Sequence, residues 1–380
     1  TGGSQPSDTG SNPVGGTNIT YWISMSFKEY TGCLHIHLNP EQYDKCLDTI
    51  AQCARNSGLN FLILTPHTPR NKKHNDYFPC EGYRNKVMIL TGEEADEKSP
   101  FNHLIVYGEK NWVGRQSIQK IIKRIENNSL LAFAAHPNGK HRIFGIESNH
   151  QWTKKEFLDS ITGMEVWSLL FDFASKTNPS NMILRYLCFP GNLTGPCDFT
   201  MRLWNKMLSK RRFVGIAGLD IHPLKYGFRY LDVKKRFGYE FVFKTLRNHI
   251  LVDTEFTGDI SMDRDIVLNA MKKGRLFFAN DLLADSCGFF FGSEDKTKTM
   301  GDCFLTGERL IIEITEEADI KVVNSRETIY FEKTKRVGIK ASVEGFFRVE
   351  VYYKKRPWIF SNPVYIKELN DEKFSTNKYR

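Results

Sequence analysis

No stretch of this chain approaches the ~18 uninterrupted apolar residues that a membrane-spanning helix requires. Its longest apolar runs, such as Leu130–Ala135 and Val87–Leu90, are the length of strands. None of the eight cysteines stands in a CxxC pair or at zinc-knuckle spacing, and their even count permits disulfides without requiring them. A nucleophile elbow, a Walker loop and a Gly-rich dinucleotide fingerprint are all missing. There is no internal repeat, and no basic run is long enough to act as a nucleic-acid arm.

What is present is a globular composition, 41% hydrophobic and 26% charged, which excludes a disordered, fibrous or coiled-coil chain. At 380 residues, a typical domain size of ~150 suggests about two domains. Basic residues outnumber acidic ones by 53 to 44, a net charge of +9, in short clusters such as Arg70–Lys73, Lys120–Arg124 and Lys210–Arg212. These clusters read either as solvated helix ends and loops or as a positive field for anionic substrates. Residues 1–18 are dominated by Gly, Ser, Thr, Pro and Asn, a flexible tether that favours an exported, tethered protein over a cytoplasmic one. Residues 369–380 make a polar tail.

Between residues 19 and 285, short apolar strands alternate with helical stretches. Strands are predicted at Cys33–His37, Asn60–Leu64, Val87–Thr91, Leu104–Tyr107, Leu130–Ala134, Gly163–Trp167 and Val214–Gly218. Ile118, Ile121, Ile122 and Ile125 share one face of a helix, and Tyr43–Asn56 and Arg202–Leu208 read as two more. That alternation predicts an α/β fold with a parallel sheet or barrel. From 286 to 368 the runs become short and turn-separated: Leu310–Ile314, Ile320–Val323, Thr328–Phe331, Val337–Ser342, Phe346–Tyr353 and Val364–Ile366. They predict a small antiparallel β-sandwich, with Phe347, Val349, Val351 and Tyr353 on one face and Arg348, Glu350 and Tyr352 on the other.

The histidines carry the chemistry. Six of the ten stand at the ends of predicted strands: His35 and His37 in CLHIH, His67 in LTPHT, His103 in FNHLIVYG, His136 in AAHP and His222 in GLDIHP. Glu93 and Glu94 (TGEEAD), Glu165 (GMEVW) and Asp220 (GLDIH) occupy equivalent places. In parallel α/β folds the carboxyl ends of the strands converge on one crevice. His-x-His on a strand points both rings to one face. Imidazoles and carboxylates arriving together there make a transition-metal site.

Taken in order, HxH, a strand ending in His, G-x-E, a lone His, AHP and G-x-D-x-H, these motifs resemble the series of the polymerase-and-histidinol-phosphatase (PHP) metallohydrolases over about Gly32–Pro223. KKGRLFFANDLLA (Lys272–Ala284) and RPWIFSNPVYI (Arg356–Ile366) resemble the branch of that family with an appended β-sandwich, which includes carbamate-ester hydrolases and presumed phosphoesterases. The resemblance implies a distorted (βα)7 PHP barrel followed by a small antiparallel β-sandwich. It also implies two or three divalent transition metals: zinc, manganese or iron. By position, His35, His37 and Asp220 would bind the first metal, and Glu94, in preference to Glu93, would bridge it to the second. His103 and His136 would complete the second metal, and His67 and His222 would hold a third. Catalysis would rest on Glu94, His136 and Asp220. The chain departs from the family where Pro66–His67 replaces Asp-His, and after HxH, where only Glu41 or Asp44 offers an acid, so that a two-metal site is as consistent as a three-metal one.

Two metals ~3.5–4 Å apart share a water and lower its pKa towards ~7, so the expected reaction is attack of metal-bound hydroxide on a phosphoester. The expected substrate is a small phosphorylated or nucleotide-like anion. Arg70 and Lys73 after His67, and Lys140 and Arg142 after AHP, are candidate phosphate contacts. Glu165 either orients a ligand histidine or touches substrate. Carbamate or carboxylic ester hydrolysis, and a barrel that binds without catalysing, are the alternatives; a nuclease is disfavoured because no aromatic-basic strand offers base stacking.

Overall fold

The computed structural model describes residues 27–38, 43–69, 81–97, 99, 101–109, 111–143, 146–189, 191–222, 238–325 and 327–368. The tether, the tail, Glu41, Arg70 and Lys73 lie outside them, as do the side chains of Asp44, Lys140 and Arg142. The first part runs β1 (Lys28–Ile36), α1 (Tyr43–Asn56), β2 (Phe61–Leu64), β3 (Gly82–Arg84), β4 (Val87–Ala95), β5 (Leu104–Tyr107), α2 (Ile118–Asn127) and β6 (Leu131–Ala134). A hairpin follows, β7 (Lys140–Ile143) and β8 (Ile146–Asn149), then β9 (Gly163–Ser168), α3 (Leu169–Ser175), α4 (Met182–Cys188), α5 (Asp198–Leu208) and β10 (Val214–Gly218). Strands such as FLIL and LAFA are buried at every position, as strands covered on both faces must be. The predicted isoleucine stripe of α2 is the face it buries.

Pairing is mixed. The pairs β1–β2, β2–β4, β6–β9 and β9–β10 are parallel, whereas β4–β5 and β5–β6 are antiparallel. The predicted all-parallel alternation fails at β5 because only residues 96–103 separate it from β4, fewer than the dozen or so a parallel crossover needs. Past β10, the amides of Leu219 and Asp220 donate to the carbonyls of Leu34 and His35, and that of His37 to Ile221. The last of these strands therefore returns alongside the first. Of β1, β2, β4, β5, β6, β9 and β10, all but β5 point the same way, and their C-terminal ends meet at one end of the fold.

Beyond residue 245, β11 (Leu246–Val252) pairs antiparallel with β1 and with β12 (Leu276–Asn280), and the helix Ile260–Lys273 links the two. Seven more strands follow: β13 (Phe290–Ser293), β14 (Cys303–Leu305), β15 (Arg309–Val323), β16 (Thr328–Lys340), β17 (Gly345–Tyr353), β18 (Arg356–Ser361) and β19 (Val364–Lys367). All their pairs are antiparallel except β14–β19, and β12 pairs with β18, so the sheet runs on from the first part. Leu310–Ile314 and Ile320–Val323, expected as two strands, are one: the acidic stretch between them is a register irregularity within β15 rather than a turn. Phe347, Val349 and Val351 are buried as expected, but so are Arg348 and Glu350 on the opposite face of β17, which pack on α5 instead of meeting water. Phe346, Phe360 and Tyr365 share one hydrophobic cluster with Trp167 and Trp204.

Two buried amides hold β10 where neighbouring backbone does not. Asn248 accepts from the Ala217 N–H and donates to its carbonyl, each over 2.8–2.9 Å. Asn362 does the same for Gly215 at 2.8 Å. A buried backbone group costs free energy if unpaired, so Asn362, in the RPWIFSNPVYI segment, ties the end of the chain to the strand that carries Asp220. No helix among the described residues is long and apolar enough to cross a membrane.

Candidate metal centre

All eight of the predicted ligands meet at the shared C-terminal end of the strands. Glu94, near the end of β4, is at their centre. Its Oε1 is 2.8 Å from His103 Nδ1 and 3.0 Å from His136 Nε2. Its Oε2 is 3.1 Å from His67 Nδ1, 3.2 Å from His37 Nε2 and 3.5 Å from His35 Nε2. Asp220 Oδ1 closes the other side, 3.3 Å from His37 Nε2, 3.6 Å from His35 Nε2 and 3.7 Å from His222 Nδ1. His67 and His222 meet Nε2 to Nε2 at 3.3 Å and are partly exposed, forming the mouth. Donor atoms close enough to share an ion fall into three overlapping groups: His35, His37, Glu94 and Asp220; His67, Glu94 and His103; and His37, His67 and His222.

The tandem acids separate cleanly. Glu93 points away and accepts from the amides of Val113 at 2.5 Å and Gly114 at 2.8 Å and from the Thr68 hydroxyl, so its work is to hold the loop before α2. Pro66, where the resemblance leads one to expect Asp, still serves the site: its carbonyl accepts from the Glu94 N–H at 3.0 Å, which needs no side chain.

Three of the cluster's residues sit at positive φ without being glycine: His35 at 58°, His136 at 28° and Asp220 at 50°. Such conformations cost ~1–3 kcal/mol each and persist where the surroundings over-determine them. They also explain how His35 and His37 both reach the cluster although the register of β1 against β2 breaks between Cys33 and Ile36.

Glu165 touches two of the candidate ligands and also lines a cavity beside them. Buried on β9, it accepts from His35 Nδ1 at 3.1 Å and from the His136 amide at 2.7 Å, which fixes the His35 tautomer and leaves Nε2 for the cluster. Ser99 O, 3.2 Å from His103 Nε2, does the same for that ring. Gly218 makes the arrangement possible, because a Cβ there would lie 1.6 Å from Glu165 Oε1. Gly218→Ala is therefore expected to displace Glu165 and lower metal affinity by ~10–100-fold, the usual cost of losing an outer-shell partner. Competition against a chelator measures this, and unchanged affinity would show that Glu165 orients nothing.

Charge in the cluster is mutually tuned. Burial disfavours the imidazolium of His35, but Glu165, Asp220 and Glu94 outweigh it and hold the ring well above its usual value. Burial likewise opposes ionisation of Glu94, yet His35, His67, His103 and His136 keep it well below the carboxylate range. His67 goes the other way: burial, with His37 and His222 beside it, lowers it to about 3 against the pull of Glu94, so it is a neutral donor at pH 7.

The sequence patterns passed over His150 and Phe171. The His150 ring lies 5.5 Å from His103 and 5.9 Å from His136, and Phe171 stacks on His136 at 4.4 Å. His150 follows β8 as the other histidines follow their strands, which was the available signal. Beside His136 and Glu165 opens a cavity of about 480 Å³, walled by Trp167, Phe171, Asp172 and the first turn of α5.

No family model and no curated protein matches the chain. Among solved structures it is similar to a two-domain protein from Bacteroides vulgatus containing a predicted PHP-like metal-dependent phosphoesterase, at 14% identity over 89% of this chain and 95% of that one, with a TM-score of 0.39. That likeness is distant, and it is the side-chain geometry that bears on function.

Proposed function

We propose that this chain is a metal-dependent hydrolase of the PHP type, a phosphoesterase acting on a small anionic ester, with a distorted (βα)7 barrel over residues 19–285 and a β-sandwich over 286–368. The observation that carries the reading is Glu94, whose two oxygens face two separate sets of imidazoles at 2.8–3.0 Å and 3.1–3.5 Å. A carboxylate so placed would serve ions on both of its sides. The donor set fits them: His35 Nε2, both nitrogens of His37, Glu94 Oε2 and His136 Nδ1 are buried without an aligned hydrogen bond, although Nε2 of His35 and of His37 lie only 3.2–3.6 Å from the carboxylates. Buried polar atoms are normally satisfied, and this many orphans in one cluster call for cations.

His35, His37 and Asp220 would hold one ion, His103 and His136 a second across Glu94, and His67 and His222 a third. Imidazole-rich ligation suits zinc, manganese or iron. Ions held there supply Lewis acidity and lower the pKa of water towards ~7. Glu165 and Ser99 keep His35 and His103 presenting the correct nitrogen, and Phe171 stacks on His136 at the cavity wall. The cavity beside His136 receives the substrate, and the net charge of +9 favours an anion.

The test is elemental analysis of the purified protein together with hydrolysis of an aryl phosphate, a bis-aryl phosphate and an aryl carboxylate ester. Two or more transition metals per chain with phosphate turnover are expected. Turnover of the carboxylate ester alone would reassign the chemistry to carboxylic esters. Protein that held no metal and could not be reloaded would overturn the reading.

A further inference from the structure

A second constellation lies elsewhere on the sheet. His249 sits in the middle of β11, wholly buried, with Phe277 stacked on its ring at 4.5 Å and 11°. β1 runs antiparallel beside it with Thr31 opposite His249, which makes Glu29 the diagonal neighbour on the same face. Glu29 Oε1 is 2.6 Å from His249 Nδ1, and its other oxygen accepts from the Gly288 N–H at 2.8 Å. On the far side of the ring, Nε2 is 3.0 Å from Asp281 Oδ2 and 3.2 Å from Ser286 Oγ. Arg247, 3.3 Å from Asp281, neutralises that carboxylate, and the Ser286 hydroxyl donates to its other oxygen at 2.6 Å. The turn that follows brings the exposed thiol of Cys287 against the imidazole. One donor atom each from Glu29, His249 and Cys287 lies within 4.8 Å of the other two.

The geometry points to a second metal site at Glu29, His249 and Cys287, for zinc or a similar borderline divalent cation. Thiolate, imidazole and carboxylate form a zinc-type donor set, quite unlike the oxygen cages of magnesium or calcium. A metal-bound histidine characteristically gives its other ring N–H to a carboxylate, which fixes the tautomer. Asp281 stands at that position on Nε2, itself held by Arg247 and Ser286, so the outer shell exists alongside the ligands. Charge also balances in both states. Without metal, the imidazolium and Arg247 offset Glu29 and Asp281. With a divalent ion, the proton on Nδ1 and that of the thiol leave, and the ion and Arg247 offset Glu29, Asp281 and the thiolate. Three ligands leave a fourth position open beside the exposed Cys287.

The site joins β1, β11 and the segment after β12, where the first part of the fold passes into the C-terminal strands. Glu29 is six residues before His35 on β1, or ~20 Å along a strand, so this centre is separate from the histidine cluster. Its role is a clip across that junction.

Cobalt(II) tests it, because thiolate ligation gives an intense near-ultraviolet charge-transfer band that nitrogen and oxygen ligands lack, and the histidine cluster holds no sulfur. Wild-type protein loaded with cobalt is expected to show the band. Cys287→Ser should lose it together with one equivalent of metal and keep the rest. Asp281→Asn should keep the band but bind cobalt ~10–100-fold more weakly. His35→Ala with His37→Ala should leave the band intact, so a failure of the hydrolase reading would not be mistaken for a failure here. Wild-type protein saturated with cobalt but lacking the band, or a band that survives Cys287→Ser, would overturn the assignment.

Discussion

Glu94→Gln is expected to cost the protein its bound metal and its turnover together. Glutamine has the same shape and burial, so packing around β4 is unchanged; what goes is one negative charge and one of two acceptor oxygens. Each oxygen serves a different set of histidines, with Oε1 facing His103 and His136 and Oε2 facing His35, His37 and His67. An amide presents an N–H to one of those sets and repels the cation there. On the proposed two-ion reading both ions would be held more weakly, so the fall in turnover should exceed the ~10²–10³-fold that loss of one preorganised donor costs. Elemental analysis and phosphate-ester turnover on the same preparation check it. Glu93→Gln is the control: Glu93 faces the Val113 and Gly114 amides, so metal content should hold while the loop before α2 loosens. If Glu94→Gln kept its metal, the bridging role would be wrong.

How far this site was legible in the sequence follows from the kind of information each residue carries. The six strand-end histidines, Glu94 and Asp220 were readable because strands in such folds end on a common crevice, and the structure brings all eight together. Period-two reasoning placed both rings of HxH on one face, and both do lie in the cluster, but His35 sits there in a left-handed backbone conformation, which no alternation rule anticipates. Glu165 had two roles open, and its contact to His35 Nδ1, which favours the orienting one, depends on long-range packing that no local pattern conveys. The antiparallel insertion of β5 and the merging of four predicted strands into β15 and β16 depended on connection length and long-range pairing, to which local patterns are blind. Glu29, His249 and Cys287 are scattered along the chain and no motif links them; strand register brings Glu29 to His249, and the turn after β12 brings Cys287.

The opposite face of β17 misled for a more instructive reason. Alternation there was right, yet the polar face is buried, because a second surface waits for it. Arg348 donates from Nε to Asn205 Oδ1 at 3.0 Å and from a terminal nitrogen to Glu350 Oε1 at 2.6 Å, with its guanidinium 5.0 Å over the Trp204 ring. Glu350 also accepts from Lys321 and Tyr352 at 3.2 and 3.0 Å. Both partners are nearly inaccessible, and α5, on which they press, forms with its first turn one wall of the cavity beside His136. The C-terminal strands thus brace the helix that shapes the candidate site.

Arg348→Met should therefore be the most damaging substitution remote from the metal ligands, destabilising by ~3–5 kcal/mol at pH 7, because it leaves Glu350 charged and buried with its principal partner gone. The pair as a whole is worth far less than the cost of breaking it, so Arg348→Met with Glu350→Leu should recover most of the loss. Burial opposes ionisation of Glu350, but Arg348 and Lys321 outweigh it and depress its folded-state pKa. Its contribution is therefore present above the unfolded carboxylate value of ~4.3 and fades as pH falls through the lower folded value. In the single variant only Lys321 and Tyr352 are left to oppose burial, so Glu350 takes up a proton at higher pH than in wild type and the stability gap should narrow as the solution is acidified through the carboxylate range. Urea titrations at neutral and acid pH read this directly. At neutral pH in the folded protein metal content should stay at the wild-type level, since no candidate ligand is touched, while KM rises as α5, which walls the cavity, loses the brace at Trp204 and Asn205. Equal stability of Arg348→Met and wild type at pH 7 would mean that water reaches the pair and that this face of β17 is not sealed against α5.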